Sequence, residues 1–141
     1  MTEKGSSLEP AGRRLAIRFL TVYAFVDDTG QCMKEREEFF QVDQLEKQQA
    51  QTGQSYLEFL RVPAMSAGVY TLPAGGTDAQ KPHEEDEMYY VVRGRARMRV
   101  GTEDHAISQG SVIFVAAEVE HRFYGIAEEL VVLVFFAPAE T

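Results

Sequence analysis

Downstream of Gly53 the chain is written in short apolar runs divided by turn residues. The runs are Tyr56–Val62, Gly68–Leu72, Glu87–Val92, Arg95–Val100, His105–Ile107, Val112–Val115, His121–Tyr124 and Leu130–Phe136. The breaks carry Pro63, Pro73, Gly75, Gly76, Gly94, Gly101, Gly110 and Gly125. Strands at this even spacing predict an all-β sandwich or barrel. In RARMRV (95–100) the alternation is strict, so Arg95, Arg97 and Arg99 share an outer face and Ala96, Met98 and Val100 the inner one. The run LVVLVFF (130–136) does not alternate and is apolar enough to serve both a core and an interface.

Upstream the pattern changes. Residues 43–53 (DQLEKQQAQTG) predict a helix, with Asp43 as cap, Glu46 at capping-box spacing and Gly53 as the stop. Its body is made of good helix formers with few apolar residues, which places it on the surface. Residues 1–12 read as a disordered tail, 15–26 as an added strand or short helix, and DDTG (27–30) as a turn. Met33 is a natural start for a compact domain, so 1–32 is expected to be an N-terminal extension and 33–141 a single domain.

Charge narrows the partners. The chain of 141 residues carries a net charge of −8. Residues 1–26 hold four basic and two acidic side chains, so the remainder carries −10. No basic stripe is present, which argues against nucleic acid. No apolar run reaches membrane-spanning length, so no membrane partner is expected. A single cysteine, Cys32, rules out an intrachain disulfide and a thiolate ligand set, and it suits a reducing, cytoplasmic setting. A divalent cation fits this acidic background.

The candidate chemistry lies in KPHEEDEMYYVVRG (81–94), where His83 and four acids precede an apolar strand. If the approach is extended, His83, Glu85 and Glu87 face the same way. His121, in EVEHRFYG (118–125), stands before an aromatic strand. His83 and Glu87 with His121 brought in by the fold make two imidazoles and one carboxylate, a set suited to Fe, Mn, Ni or Zn. The bland alternatives are a surface histidine among solvated acids, and an ion pair of Glu87 with Lys81 or Arg93. His105 and Cys32 are left outside the site.

These positions resemble the two motifs of a small single-domain cupin. The first motif is usually Gly, five residues, His-x-His, three or four residues, Glu, six residues, Gly. The chain has Gly75 or Gly76, then His83, Glu87 and Gly94. The second is usually Gly, five residues, Pro-x-Gly, two residues, His, and the chain has Gly110 followed by His121 at that spacing. The resemblance covers roughly residues 56–137. It departs at Lys81, where the first histidine is usual, at Ala116 and Glu118 in place of Pro and Gly, and at Gly125 in place of an asparagine.

The resemblance implies an antiparallel jelly-roll β-barrel with a leading surface helix. It also implies one divalent transition metal on His83, Glu87 and His121, with Glu85 as an alternative carboxylate. Tyr70, Tyr89, Phe114 and Phe123 are expected to line a small-molecule cavity, and Glu87 to act as catalytic base. The leading expectation for function is a metal-dependent, dioxygenase-like enzyme acting on a small organic molecule. A non-catalytic binding or sensing barrel, or a structural barrel with a degenerate site, are the alternatives. A homodimer paired through its sheets is expected.

Overall fold

The computed structural model describes residues 38–141. The segments 1–12, 15–26 and 27–30, Cys32 and the boundary between 32 and 33 lie outside the described residues. Helix α1 (Val42–Thr52) leads into six strands: β1 (Tyr56–Val62), β2 (Met65–Leu72), β3 (Asp86–Val100), β4 (Glu103–Ser108), β5 (Val112–Val115) and β6 (His121–Ala137). They form one antiparallel sheet in the order β1-β2-β6-β3-β4, with β5 also paired to β3.

Two pairs of expected strands are fused. Glu87–Val92 and Arg95–Val100 are the two arms of β3, and His121–Tyr124 and Leu130–Phe136 are the two arms of β6. Gly94 and Gly125 therefore do not end strands. The β3–β6 register slips between Val91 and Arg97, and such slips bend long strands and curl a sheet into a barrel. Gly94 shows why the residue type matters. Its φ is +95°, and a Cβ there would lie 2.2 Å from the Glu129 carbonyl oxygen and 2.8 Å from Leu130 Cα. Both neighbours are backbone, so neither can swing away.

The barrel interior is a single apolar cluster that includes Tyr89, Val91, Met98, Val115, Phe123, Leu130, Val132, Val134 and Phe136. A smaller cluster lies under α1, where Leu45 packs with Val69 and Val131 and with the partly buried Leu57, Phe59, Val92 and Leu133. This explains why 130–136 does not alternate: Val132, Val134 and Phe136 face the barrel, while Val131 and Leu133 face the helix. Gln49 fastens α1 in place. Its amide donates to the Val69 carbonyl at 3.2 Å and to the Ser55 carbonyl, and it accepts from Thr71 Oγ1 at 2.7 Å.

The helix starts earlier than expected. Gln41 is the N-cap, its carbonyl accepting from Gln44 and Leu45 N–H at 3.1 Å each, and Asp43 sits in the first turn. Glu46 does not close a capping box, because with Gln41 as N-cap the third helical position is Gln44; the Glu46 carboxylate pairs with Arg93 instead. Gly53 does end the helix, in the left-handed conformation. On the outer face Arg95 pairs with Glu128 at 2.9 Å, and Arg97 and Arg99 converge on Asp104. Another part of the outside is apolar: Met88, Tyr90, Val112 and Phe114 are all exposed, and register sets Met88 opposite Phe114 and Tyr90 opposite Val112. None of the described helices is long and apolar enough to cross a membrane.

The clash at Gly94 yields a stability test. Gly94→Ala is expected to cost about 3 kcal/mol or more, because positive φ and backbone overlap act together. A shift of under about 1 kcal/mol in chemical denaturation would show that the β3–β6 bend relaxes freely.

Candidate metal centre

Three side chains converge inside the barrel end. His83, Glu87 and His121 each offer a ligand atom, and these atoms lie within 4.8 Å of one another. They reach this point from different kinds of structure. Glu87 is the second residue of β3 and is paired across to Val115 on β5 and Phe136 on β6, so its backbone is held on both sides. His121 is the first residue of β6, opposite Val100. His83 precedes the strand, which begins only at Asp86. Its carbonyl accepts from Glu118 N–H at 2.8 Å. Glu118, where the family motif usually has glycine, has φ 64°, so the left-handed turn persists without the glycine.

Glu87 and His121 are each only 2% exposed. A carboxylate so deep in an apolar core must be compensated. The Tyr89 hydroxyl donates to Glu87, and His121 Nε2 lies 3.4 Å from the same carboxylate. His121 Nδ1 lies 2.8 Å from the Val119 carbonyl. A carbonyl only accepts, so Nδ1 carries a proton, and the neutral ring presents the Nε2 lone pair to the site. Burial works against a charged imidazole here, but the hydrogen bond to Glu87, the Val119 carbonyl and the Glu87 charge outweigh it and hold His121 above its ordinary value. Glu87 thus favours a proton on His121, and a divalent cation would compete with that proton. Two nitrogen donors and one carboxylate, with Glu87 and His121 shielded from water and His83 half-buried, fit such an ion.

Beside the triad lies a cavity of ≈ 170 Å³ walled by Tyr56, Tyr70, Tyr89, Gln80, Val134 and Phe136, with His83 and Glu140 also in its lining. Of the four aromatics expected there, Tyr70 and Tyr89 are present. Phe123 is buried in the core, edge-on to Tyr89 at 5.2 Å, and does not line it. Phe114 points outward and is 58% exposed. Val115, not Phe114, is the inward residue of β5, and VIFV has no polar position to reveal that parity. Glu85, the alternative carboxylate, is buried but stands apart from the triad, accepting from Thr141 N–H and Oγ1 at 2.9 and 3.0 Å. The inward–outward alternation assumed for Glu85 and Glu87 holds in burial, but the two carboxylates meet different partners. Lys81 is exposed and outside the group. Arg93 does not pair with Glu87 but with Glu46 and Glu129. Tyr56, Gln80 and Glu140 carried no metal or motif signal and were missed. Among the described residues the other histidine, His105, is exposed beside Glu103.

Proton and metal compete for His121, which sets a direction for pH. Its raised value means that the proton persists to higher pH than on an ordinary imidazole. Mn²⁺ affinity measured by calorimetry is therefore expected to fall by about tenfold per pH unit below that value and to level off above it. Affinity independent of pH through the imidazole range would remove His121 from the coordination sphere.

The comparisons agree with this architecture. The family described as Cupin_2, a cupin domain, matches residues 68–136. An uncharacterized Streptomyces coelicolor protein, SCO3923, is 50% identical over 102 residues, covering 72% of this chain and 97% of the relative. TT1209 from Thermus thermophilus shares the fold with a TM-score of 0.59 at 24% identity, over 73% of this chain and 99% of that one. A cupin 2 conserved barrel domain protein from Rhodopseudomonas palustris matches at 0.55 and 19% identity, over 61% of each chain. Sheet, motif spacing and comparisons converge: the chain belongs to the cupin family.

Proposed function

We propose that this cupin is a metal-dependent enzyme acting oxidatively on a compact, uncharged organic molecule. The observation that carries the reading is the convergence of His83, Glu87 and His121. Two histidines and one carboxylate with open positions is the donor set of non-haem iron oxygenases, and iron bound there would supply Lewis acidity and dioxygen chemistry. The protein's own part is binding and proton handling. Tyr89 lines the cavity and also touches Glu87 and, at 3.1 Å, His121 Nε2. Burial and the Glu87 charge raise the Tyr89 phenol far above its ordinary range, so it remains a proton donor. It therefore connects a molecule in the cavity to the buried carboxylate, and Glu87 serves as the base.

The cavity restricts the substrate. A space of ≈ 170 Å³ is close to the ~150 Å³ that admits a benzene ring. Among the described residues no lysine or arginine lines it and a glutamate does, so free carboxylates and phosphates are disfavoured. Tyr56 Oη and Gln80 Nε2 are buried in the wall without a partner among the described residues. They are positioned to hydrogen-bond an oxygen-bearing ligand, such as a phenol or small carbonyl compound.

Elemental analysis of protein purified without a metal-affinity tag tests the reading. Close to one iron, manganese, nickel or zinc per chain is expected, falling sharply in His83→Ala and His121→Ala with the barrel still folded. Oxygen uptake by iron-loaded protein with single-ring phenols then tests the oxidative chemistry. Full metal content in both variants would dismiss the triad; bound metal without oxygen uptake across neutral single-ring compounds would dismiss the oxidative assignment.

We also propose that the chain forms a homodimer through the patch of Met88, Tyr90, Val112 and Phe114. The chain is strongly anionic, and this uncharged apolar patch gives two like-charged copies a place to meet. Light scattering is expected to report a dimer for the native chain and a monomer for Phe114→Asp. A native monomer would end the proposal.

A further inference from the structure

The two histidines of the triad are oriented differently. His121 has its Nδ1 proton tied to a main-chain carbonyl two residues away. His83 lies on a loop, outside any strand, and among the described residues its ring has no main-chain lock of that kind. Instead, its Nδ1 lies 3.1 Å from Glu140 Oε1. The Glu140 backbone is fixed at both ends: its N–H donates to Ser66 Oγ at 3.0 Å, and its carbonyl accepts from Arg61 Nη1 at 2.6 Å. The next residue, Thr141, is held on the buried carboxylate of Glu85 through both its N–H and its hydroxyl. Three anchors from three separate parts of the chain therefore hold one carboxylate at ion-pair distance from one imidazole nitrogen. The ring is further confined by Phe136, with centroids 5.0 Å apart.

We infer that Glu140 is the positioning residue of His83: it accepts the Nδ1 proton and so leaves Nε2 as the only lone pair that ring can offer a metal. The two imidazoles then share one tautomer, set on His121 by a carbonyl and on His83 by the segment that follows β6. A histidine free in water favours the opposite tautomer, with the proton on Nε2, where it blocks coordination. Glu85 gains a role by the same geometry. It does not bind metal; it anchors the segment that carries Glu140. The inference rests on the proposed metal centre, but its first readout does not depend on metal.

The test uses ¹⁵N-labelled, metal-free protein at a pH where the rings are neutral. Long-range ¹H–¹⁵N correlation spectra distinguish a protonated Nδ1 from a protonated Nε2. In the native chain His83 is expected to show a protonated Nδ1 and a bare Nε2. Glu140→Ala should move the proton to Nε2 and weaken Mn²⁺ binding by roughly tenfold or more. Glu140→Gln keeps an accepting oxygen and should restore both the tautomer and most of the affinity, which a merely structural role would not. A native His83 protonated on Nε2, or an unchanged tautomer in Glu140→Ala, would overturn the inference. If the tautomer moves as expected but the native chain binds no Mn²⁺, Fe²⁺, Ni²⁺ or Zn²⁺, the metal centre fails while the orienting contact stands.

Discussion

A carboxylate sits where an apolar barrel least tolerates one. Glu87 is the second residue of β3, paired on one side to Val115 and on the other to Phe136, and its side chain is enclosed with Tyr89 and His121. It cannot retreat to solvent without breaking ladder pairing on both flanks. The barrel must therefore provide a positive charge next to it, and that requirement organises the site. The Tyr89 hydroxyl and the elevated proton affinity of His121 both follow from the same demand. A proton or a divalent ion can meet it, and the competition between them is the basic chemistry of the centre.

The three ligands come from places of decreasing rigidity. Glu87 is inside a sheet, His121 is at the first residue of a strand, and His83 is in a loop. The kind of supporting contact changes in the same order. Glu87 has strand pairing on both sides; His121 adds the Val119 carbonyl. His83 needs the N–H of Glu118, a residue in a left-handed conformation, and the carboxylate of Glu140. Groups meant to bind one ion must be held to a fraction of an ångström, so a ligand without a rigid element beneath it recruits contacts from elsewhere.

Much of the barrel could be read from local pattern. Strands Tyr56–Val62 and Val112–Val115 coincide with the expected bounds, and the outward arginines of β3 follow from simple alternation. What misled were glycines and short apolar runs. Gly94 and Gly125 read as breaks but are bends within continuous strands, because a bulge and a turn demand the same backbone freedom. Phe114 and Val115 could not be sorted into outside and inside, since every residue of VIFV is apolar. Asp43 looked like a cap, yet the helix already has its first carbonyl acceptor in Gln41.

By itself the sequence determined the periodicity, the turn positions and the spacing of His83, Glu87 and His121, all of which are properties of neighbours along the chain. Only the tertiary structure decided that Glu85 turns to Thr141 while Glu87 turns to His121. It alone brought Tyr56, Gln80 and Glu140 to the cavity and set Glu140 on His83. The physical reason is that these contacts depend on strand register and on where the segment after β6 comes to rest. Both are fixed by the summed packing of the barrel, and no local pattern encodes that sum.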